Sequence, residues 1–95
     1  MPVSSALVAS FVYDDENEDK LWEHGIVREQ VDDVLAQPHT VRRNRRHRRA
    51  PLMVIGLDRS GRCIAIPIEP TFDPLVWRPV TAWYCKESEA ARLPR

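Results

Sequence analysis

A run of arginines from Arg42 to Arg49 is the sequence feature that most limits how this chain can fold. It holds six of the chain's 14 lysine and arginine residues within eight positions, together with His47. So dense a block of like charge repels itself, and it is tolerated in solvent or against an anionic partner. Because the run has no apolar alternation, it cannot be a buried strand. We expect a long loop or an exposed edge strand there, with Val41 as its one apolar anchor.

The arginine run points to an anionic partner, and RNA, DNA, an acidic protein and a membrane surface are the candidates. The alternative is a solvated loop without a specific role, although six arginines exceed what solubility requires. The formal net charge is zero and the pI is about 6.8, because the N-terminal third is acidic. A neutral balance therefore does not argue against a nucleic-acid partner.

The length of 95 residues predicts a single domain over residues 1–95. A hydrophobic content of 43% is sufficient for one small core, and a charged content of 29% is ordinary for a globular chain. No apolar run approaches the roughly 20 residues of a membrane span, and the N-terminus is a poor signal peptide. We therefore expect a cytoplasmic protein. Its two cysteines form no C-x-x-C motif and are expected to be reduced thiols.

The N-terminal half predicts one strand and two helices. Residues 6–13 are β-branched and aromatic enough for a strand. A helix should begin with Asp15 as N-cap and end at Gly25, with Leu21 and Trp22 as its apolar anchors. A second helix should follow, with valines and a leucine at helical spacing, and it should end at Pro38.

The C-terminal half predicts a hairpin, a third strand and a short helix. Residues 52–57 and 62–69 form the hairpin around a turn at 58–61, with alternating isoleucines facing the core. Pro67 lacks an amide donor, which predicts an edge or a bulge at that point. Residues 76–84 form the last strand, and residues 86–93 the terminal helix.

This order of elements predicts an α+β fold in which two N-terminal helices pack on a small antiparallel sheet, followed by a short C-terminal helix. The helices should cover the face that carries the isoleucines. The opposite face, which carries smaller residues and two tryptophans, should be a shallow and less apolar surface bordered by the arginine run.

The arginines and histidines are suited to metal-independent RNA cleavage. Such cleavage needs a base, an acid and cations that stabilise the charged phosphate in the transition state. His24 and His47 are candidates for proton transfer, and Arg46 and Arg78 for phosphate stabilisation. The alternatives remain open: His24 simply suits a helix C-terminus, His47 is one more solvated polar residue, and Arg78 pairs with an acid of the first helix.

Further residues are candidates for substrate binding. Exposed aromatic rings beside arginines can stack on nucleic-acid bases, although Trp83 is equally suited to packing under the terminal helix. No paired spacing of cysteine and histidine predicts a metal site, and no motif predicts a cofactor. The substrate-binding candidates are Lys20, Arg42, Arg43, Arg45, Arg48, Arg49, Trp83 and Tyr84.

Several local patterns occur in a characteristic order between residues 13 and 93. They are Lys20 with His24-Gly25, Val34-Leu35, Val54-Ile55-Gly56, Gly61-Arg62, Arg78 with Thr81-Ala82, and Glu89. In this order the chain resembles the BrnT-like toxins of the RelE/ParE-like group of type II toxin–antitoxin systems. Trp83 and Tyr84 depart from the resemblance, since the family's last strand often continues into arginine.

The resemblance implies a RelE-like fold and a ribonuclease toxin that arrests translation. It also implies a cognate antitoxin and promoter DNA bound through the toxin–antitoxin complex, and it makes Lys20, His24 and Arg78 the matching site candidates. The residues themselves leave a second hypothesis open, a non-catalytic basic module of the same fold that binds nucleic acid or an antitoxin. Neither hypothesis needs a membrane.

Overall fold

The computed structural model of the protein describes residues 7–44 and 49–94. None of the helices within these ranges is long and apolar enough to cross a membrane. The elements in chain order are β1 (Ser10–Phe11), α1 (Asp15–Glu23), α2 (Arg28–Ala36), β2 (His39–Arg43), β3 (Leu52–Leu57), β4 (Cys63–Pro70), β5 (Val76–Pro79), β6 (Trp83–Tyr84) and α3 (Glu87–Ala90).

The strands form one mixed sheet in the order β1-β5-β4-β3-β2, with β6 also paired to β4. The predicted α+β class is confirmed, as is the edge strand at the start of the arginine run, where Val41 is buried. The prediction of a wholly antiparallel sheet is wrong, because β1 joins β5 in parallel. The first strand is also shorter than the predicted range 6–13, since β1 spans Ser10–Phe11. It pairs with β5 and with neither strand of the β3–β4 hairpin.

Helix α1 begins with a cap that differs by one residue from the predicted one. Asp14, not Asp15, is the N-cap, and its side chain accepts a hydrogen bond from the backbone N–H of Asn17. The Asn17 side chain is fully buried and donates to the carbonyl oxygens of Val12 and Pro79. Because the buried Asn17 amide bonds both carbonyls, Asn17 sets the position of α1. The helix ends as predicted at Gly25, whose φ is +71°.

The core lies between the helices and the sheet face that carries Ile64, Ile66 and Ile68, as predicted. Leu21 is fully buried, whereas Trp22 is 72% exposed, so its predicted role as an anchor is wrong. Adjacent helical residues differ by about 100° around the axis, and α1 buries too narrow a stripe for both.

The β3–β4 hairpin follows the sequence prediction closely. Gly61 closes the turn with a φ of +85°. Asp58 is buried within the turn, where its Oδ1 accepts hydrogen bonds from the backbone N–H groups of Ser60 and Arg62. Gly56, in β3, lies directly under α2, since a Cβ there would stand 2.7 Å from Cγ1 of Val34. A side chain at this position would therefore clash with α2, and glycine permits the close approach.

Pro67 lies opposite an interruption in the neighbouring strand. The pairs Ile68–Pro79 and Ala65–Trp83 are both in register, so two residues of β4 face the three residues 80–82. The predicted edge or bulge in the Pro67 strand is therefore wrong in its location, because β4 is an interior strand in unbroken register with β3. The bulge lies in the partner strand opposite Pro67, which has no N–H to offer that side. The bulge also divides the predicted last strand into β5 and β6.

The sheet face opposite the core is covered, which corrects the prediction of a shallow open surface. Ala65 and Ile55 on that face are buried. The C-terminal segment, defined as residues 85–94, crosses it. The hydroxyl of Thr40 donates to the carbonyl oxygen of Arg92 at 2.8 Å, which brings this segment to the far edge of the sheet.

A disulfide joins Cys63 and Cys85, so the prediction of reduced thiols is wrong. The two Cα atoms lie 5.3 Å apart, within the range that a disulfide needs. Antiparallel pairing creates this proximity. Ile64 pairs with Tyr84, so the residue before Ile64 and the residue after Tyr84, which are the two cysteines, lie opposite each other. No local motif in the sequence predicts that pairing.

Candidate nucleic-acid interface

Arg78 is held by three carboxylates. Its Nε and Nη2 donate to the two oxygens of Asp14 at 2.7 and 2.9 Å, which is a bidentate fork. Nη1 donates to Glu69 at 2.8 Å, and Nη2 also donates to Glu16 at 3.1 Å. The side chain is only 16% exposed. The alternative of an ion pair with the first helix therefore describes Arg78, and its catalytic role stays a prediction.

Arg49 lies against two of the same carboxylates. Its Nε donates to Glu69 and its Nη2 to Glu16, each at 3.2 Å. We call Asp14, Glu16, Glu69, Arg49 and Arg78 the carboxylate cluster. In it, two arginines face three acids, so its cations are already neutralised. A phosphate would have to displace a carboxylate to reach the Arg78 guanidinium, whose three nitrogens all donate to acids, whereas Arg49 is half-exposed.

The carboxylate cluster shifts the pKa values of Asp14, Glu16 and Arg78. Hydrogen bonds from Arg78 and from the backbone of Asn17 lower the pKa of Asp14 from its ordinary value of 3.8 to about 2. Hydrogen bonds from Arg49 and Arg78 lower the pKa of Glu16. The pKa of Arg78 is raised above its usual range, mainly by its bonds to Asp14. All of these shifts favour the charged forms of the paired groups.

Other arginines in the described ranges also have acidic partners. Arg28 lies 3.6 Å from Glu18, Arg59 lies 3.6 Å from Asp33, and Arg62 lies 3.3 Å from the buried Asp58. Exposed pairs of this kind contribute little to stability, but they reduce the positive field around each guanidinium. These three arginines therefore do not supply uncompensated positive charge to the surface.

Three arginines have no ion pair or side-chain hydrogen bond to any residue that the structure describes. Arg42 and Arg43 are exposed on the edge strand β2. Arg92 belongs to the C-terminal segment, and its carbonyl oxygen accepts the Thr40 hydroxyl of the same strand. We call Arg42, Arg43 and Arg92 the free arginines. They bring uncompensated positive charge to one edge of the sheet.

Sequence reasoning missed Arg92. It lies 52 residues from Thr40 along the chain, outside the arginine run, and no spacing or motif links the two. Arg45, Arg46, His47 and Arg48, by contrast, were predicted site residues that lie outside the described ranges. Their roles as catalytic or substrate-binding residues stay predictions.

The remaining predicted site residues gather near the C-terminal end of α1. His24 is exposed, and its ring centroid lies 6.4 Å from that of Trp83. The Trp83 Nε1 donates to the carboxylate of Glu89 at 3.0 Å, so this tryptophan packs against the terminal helix. Lys20 is exposed one helical turn before His24 and has no ion pair to a described residue.

Tyr84 lies at the same end and is held on several sides. Its hydroxyl donates to the carbonyl oxygen of Gly25 and accepts a hydrogen bond from Gln30. The guanidinium carbon of Arg62 lies 5.2 Å from the centre of the Tyr84 ring, in a cation–π contact. One face of the ring is therefore already occupied.

The structure does not bring the predicted catalytic residues His24 and Arg78 together. Arg78 is bonded to the N-cap of α1, whereas His24 is the C-cap of the same helix. At 1.5 Å of rise per residue, the two caps are separated by about 15 Å. A single phosphate in contact with the imidazole would therefore lie far from the Arg78 guanidinium. Within the described ranges, no group of three or more acidic, histidine or cysteine residues could hold a metal ion.

Comparison of the chain with family models, with curated proteins and with solved structures finds no match. The resemblance to the BrnT-like toxins stays a prediction from local patterns. The function of the protein therefore has to be inferred from the arrangement of its arginines, aromatic rings and carboxylates.

Proposed function

We propose that this protein is a nucleic-acid-binding module that holds the phosphates of RNA with the free arginines. The observation that carries the proposal is the contrast in pairing within the described ranges. Arg42, Arg43 and Arg92 lack a carboxylate partner, whereas the other arginines described there have one. An arginine without an internal partner keeps its full attraction for a phosphate.

The geometry of β2 suits contact with a phosphate backbone. Successive side chains of a strand point to opposite faces, so Arg42 and Arg43 reach to either side of the sheet edge. Arg92 approaches the same edge from the face that carries Thr40. Guanidinium groups bind phosphate through paired donors, and the proposed contacts do not depend on base sequence. We therefore expect binding that depends strongly on charge and weakly on sequence.

The proposal is tested by fluorescence anisotropy of labelled single-stranded RNA at a series of salt concentrations. For single strands, the logarithm of the association constant falls with the logarithm of salt by about 0.7 for each phosphate contact. Each of the changes Arg42→Ala, Arg43→Ala and Arg92→Ala should reduce that slope by about 0.7.

Arg59→Ala is the matched control. Arg59 lies in the hairpin turn, at the opposite end of β3 from Arg43. Its side chain is 89% exposed, but it pairs with Asp33 of α2. The control variant should leave the affinity and the slope unchanged. Binding that is insensitive to salt, or a triple variant with the slope of the native protein, rejects the proposal. Equal binding of duplex DNA would extend it to nucleic acids in general.

A second candidate is the metal-independent ribonuclease of a toxin–antitoxin system. The observation that favours it is His24, an exposed imidazole with Lys20 one turn away and the Trp83 ring beside it. An imidazole can move protons near neutral pH, and a lysine can stabilise a phosphate. In this arrangement His24 and Lys20 would act without Arg78.

The second candidate predicts that the purified protein cleaves RNA in the presence of a chelator and that its expression arrests growth. His24→Ala should abolish both effects while leaving RNA affinity intact. Intact RNA after prolonged incubation, with normal growth on expression, would leave binding alone. In the toxin interpretation, which places the protein in the cytoplasm, an antitoxin with acidic side chains would compete with RNA for the free arginines, and the complex could then meet promoter DNA.

A further inference from the structure

We propose that the Cys63–Cys85 disulfide is a redox latch that holds the C-terminal segment on the sheet and thereby places Arg92 beside β2. The inference rests on the proposed function, because it makes the composition of the RNA-binding surface depend on the redox state. In the oxidised protein all three free arginines share one edge. In the reduced protein Arg92 leaves that edge.

The disulfide ties the C-terminal segment to the sheet at the segment's first residue. Cys63 is the first residue of β4, and Cys85 directly follows β6. The backbone N–H of Cys85 also donates to the carbonyl oxygen of Cys63. The bond therefore fixes the point at which the segment starts across the sheet toward Thr40.

Few other hydrogen bonds hold the segment in place. Helix α3 has four residues, none of them buried, and so short a helix is not stable by itself. Strand β6, which precedes it, has two residues. Beyond the disulfide and the backbone bond of Cys85, the segment is joined to the rest of the described chain by the hydrogen bonds from Trp83 to Glu89 and from Thr40 to Arg92. Once the disulfide is reduced, the C-terminal segment should therefore detach far more readily than the sheet unfolds.

The chemistry of the switch is thiol–disulfide exchange with a cellular or added dithiol. A thiolate of the dithiol attacks one sulfur, forms a mixed disulfide and expels the other cysteine as a thiolate. The second thiol of the reductant, as a thiolate, then attacks the reductant's own sulfur in the mixed disulfide and expels the remaining cysteine as a thiolate. Two electrons and two protons pass to Cys63 and Cys85, and the reductant becomes a disulfide. Both cysteines are half-buried, so a reductant can approach them.

The position of this bond suits a regulatory role, because it joins the first residue of β4 to the residue that follows β6, at one end of both strands. In a reducing cytoplasm, where the toxin interpretation places the protein, disulfides are rare and those that occur are usually transient and redox-sensing. Opening of the bond leaves the isoleucine core intact, as a reversible switch requires.

The test measures the affinity of the full chain for single-stranded RNA before and after reduction with dithiothreitol. Reduction should weaken binding about tenfold, the loss expected for one charged hydrogen-bonded contact, and lower the salt slope by about 0.7. Oxidised Arg92→Ala should reproduce both changes, and reduction should not weaken it further. The variant Cys63→Ser with Cys85→Ser should bind like the reduced protein and ignore dithiothreitol.

Two results overturn the latch. One is a reduced protein that keeps the oxidised affinity and slope. The other is an Arg92→Ala variant that remains sensitive to the reductant, since the effect would then act elsewhere.

Hydrogen exchange without RNA separates failure of the latch from failure of the proposed function. Amides of the C-terminal segment should lose protection on reduction, while those of Val54 and Ile66 keep it. Unchanged protection of the segment rejects the latch whether or not RNA binds. Lost protection in a protein that binds no RNA in either state rejects the proposed function and the role of Arg92, and leaves only a redox-sensitive segment.

Discussion

The two groups of arginines in this protein have opposite surroundings although they are of the same residue type. In the carboxylate cluster, Arg78 is 16% exposed and donates to three acids. At the edge of the sheet, Arg42 and Arg43 are exposed and have no acidic partner in the described part of the chain. The first group joins α1 to β4 and β5, and the second is available to another molecule.

The comparison shows that an arginine's role depends on what already satisfies its donors. A guanidinium with three carboxylates has little to gain from a phosphate, because binding would first break internal bonds. A guanidinium in solvent exchanges only water and counterions for the phosphate. Arg49 illustrates the point, since it belongs to the run in sequence but to the carboxylate cluster in space.

Asn17→Ala should have the largest effect, because the carboxylate cluster depends on the position of α1. The change removes a capping bond and takes the Asn17 donor from the carbonyl of Val12 and from the buried carbonyl of Pro79. We expect a loss of about 3 kcal/mol in the free energy of unfolding, measured with urea. Asp19→Ala, at an exposed position of the same helix, is the control and should change stability by less than about 0.5 kcal/mol. A loss below about 1 kcal/mol would mean that Asn17 does not position the helix.

Arg78→Ala should lower the free energy of unfolding by about 2 kcal/mol, because it leaves Glu69 and Asp14 without their strongest partner. Arg78→Lys should recover part of the loss, since it keeps the charge but not the fork. RNA affinity, measured where the variant remains folded, should stay within about twofold of the native value. A stable Arg78→Ala variant that has lost RNA binding would place Arg78 in the interface and break the comparison.

The double change Arg42→Ala with Arg43→Ala should have the opposite effects to Arg78→Ala: RNA affinity should fall while stability is kept. We expect at least about a tenfold loss of RNA affinity from the missing phosphate contacts. The free energy of unfolding should change by less than about 0.5 kcal/mol, because neither side chain has an internal partner within the described ranges. Anisotropy and urea unfolding on the same samples check both halves. A large stability loss would show that these arginines are structural after all.

Protonation of Asp14, in the carboxylate cluster, should produce the smallest effect. The pKa of Asp14 is lowered from 3.8 to about 2, so its contribution to stability is present above pH 4 and is lost as the pH falls toward 2. The carboxylate is half-exposed, and screening should keep the contribution below about 1 kcal/mol. Urea unfolding between pH 5 and 2 measures it, and Arg78→Lys should flatten the curve. An unchanged curve in that variant would assign the acid dependence to other groups.

Much of the fold could be predicted because its signals are local. The bounds of β3, the turn at Gly61 and the end of α1 at Gly25 follow from apolar runs and from glycine's access to positive φ. The bulge opposite Pro67 follows from its missing N–H, although it lies in the partner strand and not, as predicted, in the Pro67 strand. Each of these depends on a few neighbouring residues and on the backbone chemistry that they allow.

Pairing between distant segments could not be predicted in the same way. The parallel contact of β1 with β5, the disulfide and the approach of Arg92 to Thr40 all join residues far apart in the chain. Periodicity identifies strands but not their neighbours, and two cysteines alone do not specify a bond.

The sequence by itself predicted a dense positive charge at the surface beside an antiparallel hairpin, because an arginine run without apolar alternation cannot be buried. Within the described residues, Arg42, Arg43 and Arg49 are exposed as predicted. The sequence also determined which residues have the chemistry to bind a phosphate. Only the tertiary structure decided which of them are available. Carboxylates from α1 and β4 neutralise Arg49 and Arg78, while β2 and the C-terminal segment keep Arg42, Arg43 and Arg92 free among the described residues. Charge is a property of the residue, but its compensation depends on distances that folding alone sets.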